Sequence, residues 1–291
     1  MDLTWSATGV PIITGELIVT HSGYCQLFAI FAVAMNSKPR SAQCPRVSII
    51  TVVYNNEADI RYTLDSVAKQ TYADKEYIVI DGGSTDGTLP LIERYGNAIT
   101  RLVSEPDRGI YDAMNKGLAL ARGEYVLFLN SGDEFFDEGT LAHIFTRTDN
   151  ADIYYGETKL VDSHRKIIGD RRNAAPATFN WKSFKYGMNI CHQAIYVKRA
   201  IAEPYDLQYQ LSADIDWVIR AAKKASTIVN VDAYVAKYLV GGVSQKRLRQ
   251  SLKERYRILS TYYGVLPNLF NHLVMAWRLV NYRLRHGKTR D

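Results

Sequence analysis

The alternation of apolar and polar positions changes character at Arg46. Residues 1–45 show no sustained period, and a Pro- and Ser-containing connector runs from Ser37 to Pro45. Beyond it, Val47-Ser48-Ile49-Ile50-Thr51-Val52-Val53 is a β-branched apolar run that stops at Tyr54-Asn55-Asn56, which reads as a buried strand opening into a loop. Ile60, Leu64 and Val67 then recur at helical spacing within 58–70. The same pattern predicts a strand over 76–80 ending in the polar run 81–87, a short helix over 89–95 and a strand over 99–103. A helix over 110–121 follows, then a strand over 125–129 that leads into Asn130-Ser131-Gly132-Asp133. Strand and helix alternating in this way predict βα units and a largely parallel sheet. Ligands of such sheets bind at the carboxyl ends of the strands, where the polar clusters of this chain fall.

The second half is less regular. Short strands are predicted over 153–156, 166–169 and 194–197, a helix over 212–224 with Ser212 as its N-cap, and final strands over 227–231 and 234–240. From Gln245 the pattern is helical, with a break near Gly264 and Pro267. Three parts are expected: a poorly ordered extension over 1–45, an α/β domain over 46–244 and a basic amphipathic helical tail over 245–291.

Composition narrows this. The chain has 291 residues, 47% of them hydrophobic, enough for a sizeable core. Its net charge of +6 points to an anionic partner, whether a phosphate ligand, an acidic membrane surface or a nucleic acid. Cys25, Cys44 and Cys191 are too scattered for a disulfide framework or a zinc site, so a reducing cytoplasm is expected. The apolar run 24–35 falls short of the roughly 20 residues that span a bilayer. No Lys or Arg precedes it, as a signal peptide would require. Met35 is a candidate start, with residues 1–34 dispensable. The tail sets Lys246, Arg247, Arg249, Lys253, Arg255, Arg257, Arg278, Arg283, Arg285, Lys288 and Arg290 against Glu254 and Asp291 alone, with apolar residues interleaved. That pattern suits an anionic membrane interface; a helical pair packed on the domain with a solvated basic face is the alternative. No nucleic-acid recognition module is visible.

Three polar clusters could carry chemistry. Asp81 with Gly82 to Gly87 could approach a phosphorylated ligand at a helix start, or could simply be a tight turn. Asp133, just past a buried strand, could hold Mg²⁺ or Mn²⁺ through oxygen, or could cap the next segment. Asp214 and Asp216, two residues apart on a helix, point about 200° away from each other. One can face a cleft while the other pairs Arg220 four residues on.

Taken together, four segments carry a resemblance. The run 47–55 resembles the opening strand of family 2 glycosyltransferases. Val79-Ile80-Asp81-Gly82-Gly83-Ser84-Thr85-Asp86-Gly87-Thr88 is similar to that family's second motif, and Ser104 to Gly117 to its third. The segment Gly123 to Asp133 resembles the metal-binding segment of a bacterial branch working on exopolysaccharides, capsules and O-antigens. The resemblance covers about 46–242. It implies a GT-A fold, a Rossmann-like mixed sheet flanked by helices, and an inverting, metal-dependent transferase. It places Thr51, Tyr54, Glu57 and Asp81 around the nucleotide, Asp107, Asn115 and Ser131 on the donor side, and Mg²⁺ or Mn²⁺ on Asp133. Asp214 would be the general base. His192, Gln193 and Asp216 would lie on the acceptor side. The sequence departs from the family's pattern where Asn130 and Ala213 replace leading acids. The implied partners are a nucleotide-diphosphate sugar, a lipid-linked or oligosaccharide acceptor and an anionic membrane surface, with no nucleic acid. The implied place is the cytoplasmic face of the membrane. The two lost acids leave a second reading, a catalytically inactive nucleotide-sugar-binding subunit. A nucleotidyltransferase would need a Gly-rich basic loop after the first strand, and Tyr54-Asn55-Asn56-Glu57 is not one.

Overall fold

The computed structural model describes residues 2–5, 11–14, 44–147, 149–242 and 247–286, and the chain divides into two compact units, Met1–Gln43 and Cys44–Asp291. In the first, strands β1 (Asp2–Trp5) and β2 (Pro11–Thr14) pair antiparallel with Asp2 opposite Thr14. A segment expected to lack regular structure thus holds a two-stranded ladder. The apolar run 24–35 lies outside the described residues.

The second unit is built on one sheet. Strands β3 (Val47–Val53), β4 (Lys75–Asp81), β5 (Arg101–Ser104) and β6 (Tyr125–Phe128) form its parallel half in the order β5-β4-β3-β6. Helices α1 (Glu57–Ala68), α2 (Thr88–Glu93) and α3 (Ile110–Leu120) make the crossovers. All seven residues of β3 are buried, as expected of a central parallel strand covered on both faces. Their alternation divides the core: Ile50 and Val52 face one apolar cluster, and Val47, Ile49 and Val53 the other.

The mixed half continues from β6 through β10 (Ile195–Lys198), β8 (Ile153–Val161) and β11 (Ile228–Leu239) to β7 (Glu134–Phe135), with β9 (Ile167–Asp170) beside β8. β10 runs antiparallel to both neighbours, while β8 and β11 are parallel. β11 joins the two strands expected over 227–231 and 234–240. The pattern breaks between them because Asp232 takes φ +52° and the ladder shifts register there. Helix α4 (Thr140–Phe145) covers one side, and α5 (Ala213–Lys224), α6 (Leu248–Tyr263) and α7 (Val265–His286) complete the unit. Gly264, at φ +83°, makes the break between α6 and α7.

Two expectations change here. Ser212 stands at the N-cap position of α5, but its hydroxyl makes no cap bond and instead lies 3.1 Å from the Ser251 hydroxyl of α6. Helix α6 also contributes Ile258 and Leu259 to the main core, so the tail begins as part of the domain.

Candidate active site

The carboxyl ends of β3 and β4 are tied together by polar side chains. Asp81 is fully buried and accepts from the Ser84 N–H at 3.0 Å, the Ser84 hydroxyl at 2.5 Å and the Ser104 hydroxyl at 2.6 Å. It shapes the turn and presents no free oxygen. Asn55 locks to the same turn, receiving the Thr85 N–H on Oδ1 at 2.8 Å, while Glu57 receives the Gly87 N–H at 3.1 Å. Tyr54 is 64% exposed at the rim. Gly82 sits between Tyr54 and Asp107, and an added Cβ would come within 2.9 Å of the Asp107 carboxylate, so only glycine leaves the slot open. Asp107 pairs Lys116 at 2.6 Å.

Thr51 and Asn115, expected near the donor, make their hydrogen bonds within the protein. Thr51 is fully buried on the β3 face that holds Tyr77, donating to the Leu129 carbonyl at 2.7 Å and accepting from the Tyr77 hydroxyl at 3.0 Å. Asn115 spends its amide on the Tyr205 backbone, with bonds of 3.0 and 2.7 Å that fasten α3 to the chain before α5. Both are structural in this arrangement.

The turn 130–133 joins two sides of the cleft. Ser131 accepts from Asn56 Nδ2 at 2.8 Å, on the side of β3. Its neighbour Asn130 lies 3.1 Å from His192 Nε2, on the side of α5, and Asn130 Oδ1 is buried without a hydrogen-bond partner. Asp133 itself is turned inward. It is 4% exposed, receives Gln193 Nε2 at 2.5 Å on one oxygen and the Leu239 N–H at 3.0 Å on the other. Burial pushes its carboxyl up to about 7 from an ordinary value of 3.8. No three His, Cys, Asp or Glu side chains gather as a metal-binding group among the described residues. The expectation of Mg²⁺ or Mn²⁺ on Asp133 thus meets a single carboxyl whose oxygens already hold Gln193 and the Leu239 N–H. Gln193, expected on the acceptor side, is likewise 2% exposed and committed to Asp133.

Asp214 and Asp216 separate as their spacing requires. Asp216 is 8% exposed, with one oxygen on Arg220 Nε at 2.8 Å and the other on the Tyr262 hydroxyl at 2.6 Å. It fastens α5 to α6 and does not face an acceptor. Asp214, in the first turn of α5, receives the Tyr111 hydroxyl at a long 3.3 Å, and its other oxygen lies 3.7 Å from His192 Nδ1. Burial holds the His192 imidazole below its ordinary value despite Asp214, and the nearby Arg171 charge pushes the same way, so the ring is neutral at pH 7. The Tyr205 hydroxyl, buried and without a partner, is close enough for Asp214 to raise its pKa further after burial has done so.

Sequence reasoning assigned no role to several residues of this site. Tyr111 stood within the third quoted segment, and its helical register toward α5 is the signal that could have found it. Tyr205 and Arg171 fall in irregular segments with no periodic cue. Arg165 reaches the turn from the loop between β8 and β9, donating to the Gly132 carbonyl at 2.5 Å and to Asp59 at 2.5 Å.

Known proteins resemble this chain in sequence or in fold. The PGL/p-HBAD biosynthesis glycosyltransferase of Mycobacterium tuberculosis is 30% identical over 260 residues, covering 83% of this chain and 98% of that protein. The cholesterol galactosyltransferase of Borreliella burgdorferi is 34% identical over 214 residues, 65% of this chain and 58% of that protein. Among solved structures, S. aureus TarS 1–349 in complex with UDP-GlcNAc superposes with a TM-score of 0.61 at 20% identity, covering 82% of this chain and 73% of that one. Mannosyltransferase PcManGT from Pyrobaculum calidifontis, in complex with GDP-Man and Mn²⁺, gives 0.56 at 18% identity, covering 89% and 82%. The last two share the fold, so the mixed sheet is a GT-A sheet. The relatives carry enzyme names, which lends no support to the inactive-subunit reading. The model of the family "Glycosyl transferase family 2" matches residues 48–203, and the chain belongs to that family.

Proposed function

We propose that this glycosyltransferase moves a sugar, with inversion, from a nucleoside-diphosphate sugar to a hydroxyl of a lipid-linked glycan acceptor in surface polysaccharide assembly. Its place is the cytoplasmic face of an anionic membrane. The bound donors of TarS and PcManGT support the donor class, and the cholesterol galactosyltransferase supports a lipid acceptor. The observation that carries the mechanism is the contrast between two acids of one helix: Asp216 has both oxygens committed, while Asp214 keeps only one long bond and a neutral His192 beside it.

In this reading Asp214 takes the proton of the acceptor hydroxyl as its oxygen bonds to the anomeric carbon. The bond from that carbon to the diphosphate breaks, and the electron pair leaves with the diphosphate. A neutral His192 does not compete for that proton and, held by Asn130, keeps the carboxylate in place. Asn130 Oδ1 and the Tyr205 hydroxyl lie buried without partners close by. Tyr54, Glu57 and Asp107 frame the nucleotide beyond the ends of β3 and β5, and Arg171 lends positive charge near His192.

Removing a general base costs about 10²–10⁴ in rate. Asp214→Asn is expected to cut turnover by that factor and leave the donor dissociation constant nearly unchanged. Asp216→Asn is expected to act on stability instead. Turnover with a panel of sugar nucleotides, followed by released nucleoside diphosphate, tests both. The reverse pattern in the two variants would make Asp216 the base.

A further inference from the structure

Helix α7 turns its polar side toward the protein and its apolar side away from it. Asn268 and Asn271 are buried, and Asn268 Nδ2 donates to the Tyr256 carbonyl at 3.0 Å and the Ser260 hydroxyl at 2.8 Å, both on α6. On the same inward side Arg278 lies 4.6 Å over the Tyr186 ring. The outward side carries Leu266, Leu269, Phe270, Leu273, Trp277 and Leu284, each between 50% and 80% exposed. At about 100° per residue these six fall within an arc of about 100°, the width of a stripe that normally faces a core. The stripe runs for about 27 Å at 1.5 Å per residue. A contiguous apolar face of that extent marks an interaction surface.

The charge around the stripe selects the occupant. Residues 265–286 contain Arg278, Arg283 and Arg285 and no Asp or Glu. The one acid of α6, Glu254, is buried on the Leu211 N–H at 2.8 Å, whereas Arg249, Lys253 and Arg257 of α6 are exposed. A second copy docked through this face would set like charges against each other; an anionic bilayer would not. We infer that α7 lies flat in the headgroup region of an anionic membrane, its six apolar side chains at the acyl boundary and the exposed Arg285 among lipid phosphates. Trp277 suits that depth, since an indole keeps one edge wet. Among the described residues no helix is long and apolar enough to cross a membrane, so α7 rests on the bilayer.

This deepens the reading above and rests on it for the acceptor, whose lipid end would share the surface; the surface itself rests on α7 alone. Helix α7 packs on α6 and on the turn 181–186, which packs on α5, so the docked face is connected to the helix that bears Asp214.

The test is co-sedimentation of the full chain with phosphatidylcholine vesicles, with and without phosphatidylglycerol. Binding is expected to be about tenfold stronger with phosphatidylglycerol and weakened by molar salt, because surface attraction is screened. The double variant Leu273→Glu/Trp277→Glu is expected to lose at least about tenfold of that binding while keeping the parent's melting temperature and its donor hydrolysis in the absence of vesicles. No binding to anionic vesicles, or equal binding by the variant, would overturn the inference. So would sedimentation equilibrium showing a dimer that the same variant dissolves. Vesicle binding by a chain that hydrolyses no donor would leave this surface standing and remove the enzymatic reading.

Discussion

Asp133 and Asp214 have the same side chain at comparable places, each beside the end of an element, and their neighbours give them opposite duties. Asp214 keeps an accessible oxygen. Asp133 is closed off by Gln193 and by the backbone of Leu239. Its folded pKa of about 7 lies well above the ordinary 3.8. The unfolded chain therefore gives up this proton first as pH rises. Stability from the neutral, buried carboxyl is fully present below about pH 4 and is lost as pH rises toward and through 7. Asp133→Asn keeps an acceptor for the Leu239 N–H and cannot titrate. Relative to that variant, the parent should lose up to about 1.4 kcal/mol of unfolding free energy per pH unit between pH 4 and 7, measured by urea unfolding at several pH values. A difference that stays flat with pH would show that the carboxyl is not buried as described. The duty of Asp133 was not legible in the sequence. Its position after a strand was visible, but the groups that seal it are 60 and 106 residues away. Thr51 misled for a different reason: its place in the opening motif was right, while the two-residue period of β3 turned its hydroxyl into the core toward Tyr77.

At the level of elements, sequence periodicity located the helices of the tail and their break at Gly264, but not which stripe of each faces inward. Helix α6 buries Ile258 and Leu259; α7 buries Asn268 and Asn271 and leaves Leu266, Leu269, Leu273 and Leu284 exposed. A helical pattern records that an apolar face exists, and only the neighbouring elements decide what covers it. The two helices should therefore respond differently to truncation of an aliphatic side chain. Ile258→Ala is expected to cost about 2–5 kcal/mol, the range for a buried aliphatic cut back to Ala. Leu273→Ala, on the outward stripe, is expected to stay within about 0.5 kcal/mol, as for other exposed positions. Chemical denaturation of both variants in the absence of lipid checks this, and equal losses would mean that the outward stripe is packed.

For the whole molecule, the parallel half was legible because β3, β4 and β6 are buried on both faces and each crossover helix follows at once. In the mixed half the strands β8, β9, β10 and β11 were legible but their order was not, because β10, β8, β11 and β7 pair across long stretches of chain that no local window joins. The turn 130–133 lies where the halves meet, and it bears on the order of events in catalysis. Ser131 answers to Asn56 on the nucleotide side, and the adjacent Asn130 answers to His192 beside Asp214. The two residues share a backbone, so a shift of the turn on filling the nucleotide side is expected to reach the proposed base. In steady-state terms this favours a compulsory sequence, with the sugar nucleotide entering first and the nucleoside diphosphate leaving last. Product inhibition reads the sequence directly: the released diphosphate should compete with the donor and be non-competitive toward the acceptor. Competition against both substrates would instead reveal random entry and a turn that transmits nothing.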